Sequence, residues 1–216
     1  MLMDKWVEYF ENTNRNLFDQ CLRNRRLIEL VIQNTPAGGR ILEVGCGTAL
    51  LSLILADHGF EVTALDISKE VVNYAQKRAC LGKIKLKFIQ GDSFNLNSLF
   101  ENRFFDTVCH SGVMEHFSDA DIIRGLLEQR RVSKRVIFNV PNSRVKSAPN
   151  LFGDERFLNQ EKWMELIKKA GFNKVKVFGG YDLPRYVYFI LPGVFFNQRF
   201  SFWWKYFSKH SIFVCE

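Results

Sequence analysis

The sequence predicts an α/β fold, a doubly wound parallel sheet with helices on both faces. Short apolar segments alternate with segments of helical periodicity along most of the 216 residues, and this alternation is typical of such a sheet. The first apolar segment, residues 41–44, stops abruptly at a turn that contains Gly45 and Gly47. Because glycine lets the backbone turn sharply and approach a ligand closely, a strand, a glycine turn and a helix in succession indicate a nucleotide-like ligand.

The first half of the chain alternates helices and strands. An N-terminal helix is predicted at residues 17–32, because apolar residues recur there at helical spacing and Pro36 follows the segment. Ser68 is a favourable capping residue for the helix after the second strand. The predicted strands lie at residues 41–44, 60–65 and 86–90, and the predicted helices between them lie at residues 48–57 and 69–81. Residues 94–102 show no clear pattern.

The second half continues this alternation. Ser118 and Asp121 belong to a capping box that opens a helix, while Asn159 and Gly171 mark the start and the end of another. Strands are predicted at residues 104–109, 136–140, 175–178 and 211–215. The expected organisation is a single domain over residues 1–216, with an N-terminal helical cap at residues 1–35 and an aromatic-rich insertion at residues 182–210.

Composition and cysteine usage favour a folded protein of a reducing compartment. The chain is 47% hydrophobic, which is ample for a packed core. Its five cysteines are odd in number and scattered, which argues against a disulfide framework and against a structural zinc site. No signal peptide is recognisable, and the longest apolar run, residues 186–196, is far shorter than the ~18 residues that span a bilayer. We therefore expect a cytoplasmic protein.

Acidic residues accompany the glycine turn at meaningful spacings. Glu43 precedes the turn, and Asp66 lies 19 residues after Gly47, close to the ~20 residues expected for a carboxylate that binds ribose hydroxyls. Asp92 follows the third predicted strand. Leu50 stands where the dinucleotide fingerprint requires a glycine or alanine, which argues against a NAD-dependent oxidoreductase.

Residues 43–49, E-V-G-C-G-T-A, resemble the first motif of the class I S-adenosylmethionine-dependent methyltransferases. In that motif an acidic residue and one further residue precede G-x-G-x-G. Ala49 replaces the third glycine, which fits the motif if position 49 has an ordinary negative φ. The resemblance covers residues 36–181 and implies a Rossmann-like, seven-stranded sheet in which the last strand runs antiparallel between the fifth and the sixth.

The resemblance also implies which residues bind S-adenosyl-L-methionine. It assigns the ribose hydroxyls to Asp66 and the exocyclic amine of adenine to Asp92, while the backbone of His110 would meet the methionine end. The expected cofactor-binding residues are Glu43, Gly45, Cys46, Gly47, Asp66, Ile67, Asp92, Ser93 and His110. S-adenosyl-L-homocysteine would be the product.

Catalytic residues are expected in the segment after the fourth strand, because ligands of open α/β sheets bind beyond the carboxyl ends of the strands. The candidates there are His110, Glu115 and His116, and Glu115-His116 resembles a pair common in small-molecule members of the family. Either imidazole could act as a general base. A local hydrogen bond that orders the loop is an equally good interpretation of His116. Some relatives bind a divalent ion through E-x-x-E-H, but Gly112 replaces the first glutamate, so no metal site is expected.

The sequence thus predicts an enzyme that transfers a methyl group from S-adenosyl-L-methionine to an oxygen or nitrogen atom of a small, lipophilic molecule. A non-catalytic S-adenosylmethionine-binding module is the alternative, and a NAD-dependent oxidoreductase is less favoured. Residues 139–142, N-V-P-N, lack the N-P-P-[YF] motif of relatives that methylate nucleobase or glutamine amines.

Charge and aromatic content leave the partners open. The net charge of +7 would suit nucleic acid, but a solvated basic helix face explains it equally well and no RNA-binding appendage is recognisable, so no nucleic acid is expected. The aromatic-rich insertion at residues 182–210 has four interpretations: a buried extension of the core, a lid over a hydrophobic substrate, a homodimer surface, or a peripheral membrane contact.

Overall fold

The computed structural model describes residues 4–12, 17–82, 84, 86–145, 154–180 and 208–216. Within these residues one sheet is formed by β1 (Arg40–Val44), β2 (Glu61–Asp66), β3 (Lys87–Gln90), β4 (Thr107–Ser111), β5 (Val136–Pro141), β6 (Val175–Gly179) and β7 (His210–Cys215). The helices are α1 (Asp4–Asn12), α2 (Leu17–Asn34), α3 (Leu50–Asp57), α4 (Lys69–Gly82), α5 (Asp119–Val132) and α6 (Gln160–Lys169). Short 3-10 turns lie at Leu96–Ser98 and Met114–His116.

The strands are arranged in the order β3-β2-β1-β4-β5-β7-β6. Strands β1 to β5 pair in parallel, whereas β7 pairs antiparallel with both β5 and β6. The predicted doubly wound, seven-stranded sheet, mostly parallel with its last strand antiparallel, is therefore confirmed. The strand order reverses between β1 and β4, and an open α/β sheet binds its ligand in the crevice at such a point.

Successive residues of each strand point to opposite faces of the sheet, and this alternation builds a core on each face. On one face Leu42, Phe138 and Phe213 pack with residues of α5 and α6 around the fully buried Trp163. On the other face Ile41 packs with residues of α2 and α3. The central strands are thus held between two helical layers, which fixes the positions of their carboxyl ends.

Two predicted elements begin at least two residues later in the structure. The helix predicted at residues 48–57 begins only at Leu50, because Ala49 has a left-handed backbone conformation. The strand predicted at residues 104–109 begins only at Thr107, because Phe105 makes an isolated bridge to Ser133 instead of joining the ladder. The apolar character of this segment reflects burial of Phe105 in the core and not sheet pairing.

The predicted helical cap at residues 1–35 contains α1 and α2. The buried Val31 of α2 packs against the sheet, as the periodicity predicts. The predicted insertion at residues 182–210 lies outside the described residues except for residues 208–210, so its four interpretations remain predictions. Among the helices that the structure describes, none combines the length and the hydropathy needed to cross a membrane.

Candidate active site

A cavity of about 590 Å³ lies at the carboxyl ends of β1, β2 and β4. Its wall has two parts, which we name the turn end and the loop end. The turn end comprises Glu43, Gly45, Cys46, Gly47, Asp66 and Ile67, and the loop end comprises Gly112, Glu115, His116, Phe117, Asp154 and Glu155. The topology thus brings together the ends of three strands and a segment near the start of α6.

Helix α1 lies against both ends of the cavity. A Cβ placed on Gly47 would lie 2.9 Å from Cζ of Phe10, so this ring sits directly on the glycine turn. One turn earlier, the ring of Trp6 meets the ring of His116 edge-on, with 5.8 Å between the centroids. Tyr9 also lines the cavity. The three aromatic side chains give the cavity an apolar wall opposite the strand ends.

The turn after β1 requires glycine at two positions. Gly45 and Gly47 have φ values of 63° and 50°, in the left-handed region that favours glycine. A Cβ on Gly45 would lie 2.7 Å from Cγ2 of Val113, which is closer than two carbon atoms can approach. The turn therefore depends on the small size of these residues as well as on their backbone freedom.

Ala49 departs from the sequence-based expectation. Alanine fits this position of the motif if its φ is negative, but the structure gives Ala49 φ 55° and ψ 23° immediately before α3. An L-residue in the left-handed conformation costs roughly 1–2 kcal/mol, because its Cβ crowds the neighbouring carbonyl. Ala49 thus has a conformation that favours glycine, at some cost in stability.

Glu43 forms the base of the turn end and is only 5% exposed. Its Oε2 accepts hydrogen bonds from the backbone N–H and from the hydroxyl of Ser52 in α3. Burial raises the pKa of Glu43 to about 8, although the Ser52 hydrogen bonds oppose this rise. A carboxyl with this pKa is largely protonated at neutral pH, so Glu43 can donate a hydrogen bond as well as accept one.

Asp66 connects the end of β2 to the glycine turn. Its Oδ2 accepts a hydrogen bond from the N–H of Gly47 at 3.2 Å, and its Oδ1 accepts one from the N–H of Ser68 at 3.1 Å. Burial raises the pKa of Asp66, and these backbone donors partly offset the rise. Ser68 itself accepts from the N–H of Val71 and caps α4, as predicted. Because each carboxylate oxygen has two lone pairs, Asp66 can still accept two hydroxyl groups.

The other predicted cofactor residues divide between the cavity and its surroundings. Cys46 and Ile67 line the cavity, and the Ile67 side chain is 55% exposed, which leaves an apolar surface at the rim. Asp92 and Ser93 are not part of the cavity wall. The Asp92 carboxylate accepts a hydrogen bond from the N–H of Phe94 at 2.9 Å, within its own turn. The assignment of adenine to Asp92 and Ser93 remains a prediction.

The structure does not place the side chain of His110 in the cavity, which corrects its prediction as a catalytic base. The imidazole is fully buried and stacks on Phe138, with 4.9 Å between the ring centroids. Burial lowers the pKa of His110 to about 3, so the ring is neutral, and a ring sealed in the core cannot exchange a proton with a ligand. The interpretation that its backbone meets the methionine end remains a prediction.

Glu115 lies in the loop end of the cavity and is 4% exposed. Its Oε2 is buried and has no hydrogen-bond partner, while its Oε1 lies 3.6 Å from the position that a Cβ on Gly112 would take. Burial raises the pKa of Glu115 to about 8, and the nearby Glu155 and Asp154 carboxylates add to the rise. Glu115 is therefore largely a neutral acid at pH 7.

His116 has a partner that sequence reasoning missed. Its Nδ1 lies 2.9 Å from Oδ1 of Asp154, and both residues line the loop end. Asp154 follows His116 by 38 residues, so no local pattern could have connected the two. Among the described residues, no group of three or more histidine, cysteine or acidic side chains is arranged to hold a metal ion.

Comparisons with known proteins agree with this geometry. A family model described as a methyltransferase domain matches residues 41–135, which include the glycine turn, Asp66 and His116. The demethylmenaquinone methyltransferase of Thermotoga maritima is 34% identical over 140 residues, covering 62% of this chain and 56% of that protein. The ubiquinone biosynthesis O-methyltransferase of Vibrio cholerae is 31% identical over 111 residues, covering 51% of this chain and 45% of that protein. The chain thus spans about half the length of these curated relatives.

Solved structures share the fold. Magnesium protoporphyrin IX methyltransferase (ChlM) from Synechocystis PCC 6803, with bound S-adenosylmethionine, matches with a TM-score of 0.66 at 17% identity, covering 98% of this chain and 89% of that chain. The PH0226 protein from Pyrococcus horikoshii OT3 matches with a TM-score of 0.67 at 19% identity, covering 97% and 98%. Residues 41–135 thus match a methyltransferase domain, and the glycine-turn motif and the sheet order resemble those of the class I S-adenosylmethionine-dependent methyltransferases.

Proposed function

We propose that this protein transfers a methyl group from S-adenosyl-L-methionine to an oxygen or nitrogen atom of a small, lipophilic molecule. The observation that carries the proposal is one cavity whose two ends differ chemically. The turn end offers the carboxylate of Asp66 beside the exposed apolar side chain of Ile67, and this combination suits a nucleoside. The loop end offers the acid–base groups Glu115 and His116 beside aromatic rings, which suit an acceptor.

The chain's own residues would bind and orient the two reactants. S-adenosyl-L-methionine supplies an electrophilic methyl group on a sulfonium centre. Asp66 would accept the ribose hydroxyls, and Ile67 would cover one face of the adenine. Glu43, at the base of the turn end, would bind those polar groups of the cofactor that lie nearest the strand ends. Alignment of the acceptor with the methyl group is the main contribution to rate, worth up to ~7–11 kcal/mol in ideal cases.

A lipophilic acceptor is supported by the wall that α1 contributes. Trp6, Tyr9 and Phe117 surround the loop end with aromatic surface. The two curated relatives carry names that refer to demethylmenaquinone and to ubiquinone biosynthesis. An apolar molecule that bears one hydroxyl or amino group would fill the space between these rings and His116.

The cellular setting is proposed on narrower grounds. Cys21, Cys46, Cys109 and Cys215 are all free thiols in the structure, which is consistent with the reducing cytoplasm. A homodimer or a peripheral membrane contact through residues 182–210 stays a prediction, as does the absence of nucleic acid from the partners.

Calorimetry followed by a transfer assay tests the proposal. The purified protein is titrated with S-adenosyl-L-methionine and with NAD, and is then incubated with radiolabelled S-adenosyl-L-methionine and a panel of phenols, amines and carboxylic acids. We expect binding of S-adenosyl-L-methionine alone and transfer to a phenol or an amine. Binding without transfer to any acceptor would favour the non-catalytic module, and binding of NAD would favour the oxidoreductase.

A further inference from the structure

The contact between His116 and Asp154 joins two segments that the sheet alone does not hold together. His116 closes the 3-10 turn after β4, and Asp154 lies in the segment that precedes α6. The His116 side chain is 12% exposed, whereas that of Asp154 is 48% exposed. A half-exposed carboxylate needs no partner to be stable, so the contact is better explained by what it does to the imidazole than by burial of the acid.

Arg156 fixes Asp154 in place. Its backbone N–H donates to the carbonyl of Glu115 at 2.9 Å, and its guanidinium donates to the carbonyl of Phe117 at 2.6 Å. The same guanidinium donates to Oδ1 of Asp119 at 2.6 Å, at the start of α5. These bonds clamp the segment that carries Asp154 onto both sides of His116. The carboxylate is therefore positioned by backbone contacts and by an ion pair, and not by its own contact with the ring alone.

A carboxylate on Nδ1 determines which ring nitrogen carries the proton. A carboxylate only accepts hydrogen bonds, so neutral His116 must place its proton on Nδ1 to keep the 2.9 Å contact. Nε2 then carries the lone pair. Histidine bases in enzymes commonly depend on such a partner for both the tautomer and the ring orientation.

We propose that Asp154 is the positioning residue of the methyl transfer, holding His116 in the tautomer whose Nε2 takes the proton from the acceptor. The proposal rests on the proposed function. The acceptor atom bonds to the methyl carbon while the carbon–sulfur bond breaks and leaves its electron pair on sulfur. The acceptor's proton moves to Nε2, and the resulting imidazolium, paired with Asp154, later releases that proton to water.

The other groups around His116 are poorly suited to this role. Glu115 is a neutral acid at pH 7, and its buried Oε2 contacts no donor. Trp6 presents a ring edge to the imidazole and no acceptor. Glu155 lines the same end of the cavity, but the contact that the structure records on Nδ1 is that of Asp154. Tyr9 is the remaining polar group on α1 at this cavity.

Nitrogen NMR of the histidine side chains measures the tautomer directly. The chain has four histidines, so a sample labelled with ¹⁵N at histidine gives few signals, and His116→Gln identifies those of His116. The spectra are recorded at about pH 8.5, a pH that favours neutral imidazole rings. We expect wild-type His116 to be protonated at Nδ1 and unprotonated at Nε2. In Asp154→Asn we expect Nε2 to become the main protonated site, because the amide can donate to Nδ1.

Glu155→Gln is the matched control for the NMR measurement. It removes a carboxylate from the next residue at the same end of the cavity and should leave the His116 tautomer unchanged.

Kinetics provide a second readout, once the transfer screen has identified the acceptor. Asp154→Asn should lower kcat about tenfold, and His116→Gln should lower it about 100-fold or more, within the range of general base catalysis. Binding of S-adenosyl-L-homocysteine should be unchanged in both. Wild-type His116 protonated at Nε2, or an unchanged tautomer or kcat in Asp154→Asn, would overturn the inference. If the wild-type protein itself did not bind S-adenosyl-L-homocysteine, the proposed function would be overturned instead.

Discussion

The two ends of the cavity are built in different ways. The turn end is made from residues close to strand ends, and its hydrogen bonds involve backbone groups, such as the N–H groups of Gly47 and Ser68 that bind Asp66. The loop end depends on side chains from distant segments, such as His116 and Asp154. Under the proposed function, the difference teaches that the cofactor would bind to groups fixed by the topology of the sheet. The acceptor chemistry would depend on contacts that form only when the whole domain packs.

Two buried glutamates make the contrast concrete. Glu43 and Glu115 each have a pKa raised to about 8, with burial as the first cause. Glu43 is bonded to Ser52 of α3, so its position is fixed by the fold. Glu115 has an oxygen without a partner, which costs stability unless a ligand supplies one. Substitutions can therefore affect one end of the cavity and leave the other intact.

Asp66→Ala should cause the largest loss, and it should be confined to the turn end. The carboxylate would lose two ribose hydroxyl groups, each hydrogen bond to a charged acceptor being worth about 1.5–3 kcal/mol. We expect affinity for S-adenosyl-L-methionine to fall by at least about 100-fold, measured by calorimetry. Asp57→Ala is the control, because Asp57 is exposed at the end of α3, outside the cavity wall, and its replacement should leave the affinity unchanged. An equal loss in both variants would contradict the assignment of Asp66.

Gly45→Ala should destabilise the folded protein by about 2 kcal/mol, through the left-handed conformation and crowding against Val113. Gly38→Ala is matched to it, since Gly38 has φ +66° but nothing within 4 Å of its added Cβ. The free energy of unfolding, measured in urea, should fall less in Gly38→Ala. Equal values for the two variants would mean that the turn has room for a side chain.

Glu115→Gln should change the pH dependence of stability. The folded-state pKa of about 8 lies above the ordinary 4.5, so the contribution of Glu115 is fully present below pH 4.5 and is lost as pH rises towards 8. The variant removes this titration, and its free energy of unfolding should decline less between pH 5 and pH 8.

Glu165→Gln serves as the control for that titration. Hydrogen bonds from Lys169 and Lys162 lower the pKa of Glu165, so its contribution is lost only as pH falls below 4.5. Replacement of Glu165 should leave the change in the free energy of unfolding between pH 5 and pH 8 unchanged. If Glu115→Gln showed the same change with pH as the wild-type protein, Glu115 would be ionised in the folded protein.

Ala49→Gly should have the smallest effect and the opposite sign. Glycine removes the left-handed strain at φ 55°, but it also adds entropy to the unfolded chain, so we expect a net gain of about 0.5–1 kcal/mol. Ala75→Gly, in the interior of α4, should instead lose about 1 kcal/mol. Thermal unfolding compares the two variants, and a loss in Ala49→Gly would contradict the described conformation.

The sequence was sufficient for the sheet and for most of the turn end, because both depend on local signals. Gly45, Gly47 and Asp66 are linked by a fixed spacing along one strand-turn-helix unit and its neighbour. The pairing of His116 with Asp154 could not be predicted, because it depends on how the segment before α6 packs. His110 was misassigned although its strand contained the signal: with a period of two, His110 shares the core face of Val108.

A crystal structure of the protein with S-adenosyl-L-homocysteine tests the division of the cavity most directly. We predict that the ribose hydroxyls contact the Asp66 carboxylate, and that the sulfur points towards the loop end, with open space between it and Nε2 of His116. A nucleoside bound at the loop end, or a sulfur facing away from His116, would contradict the central claim.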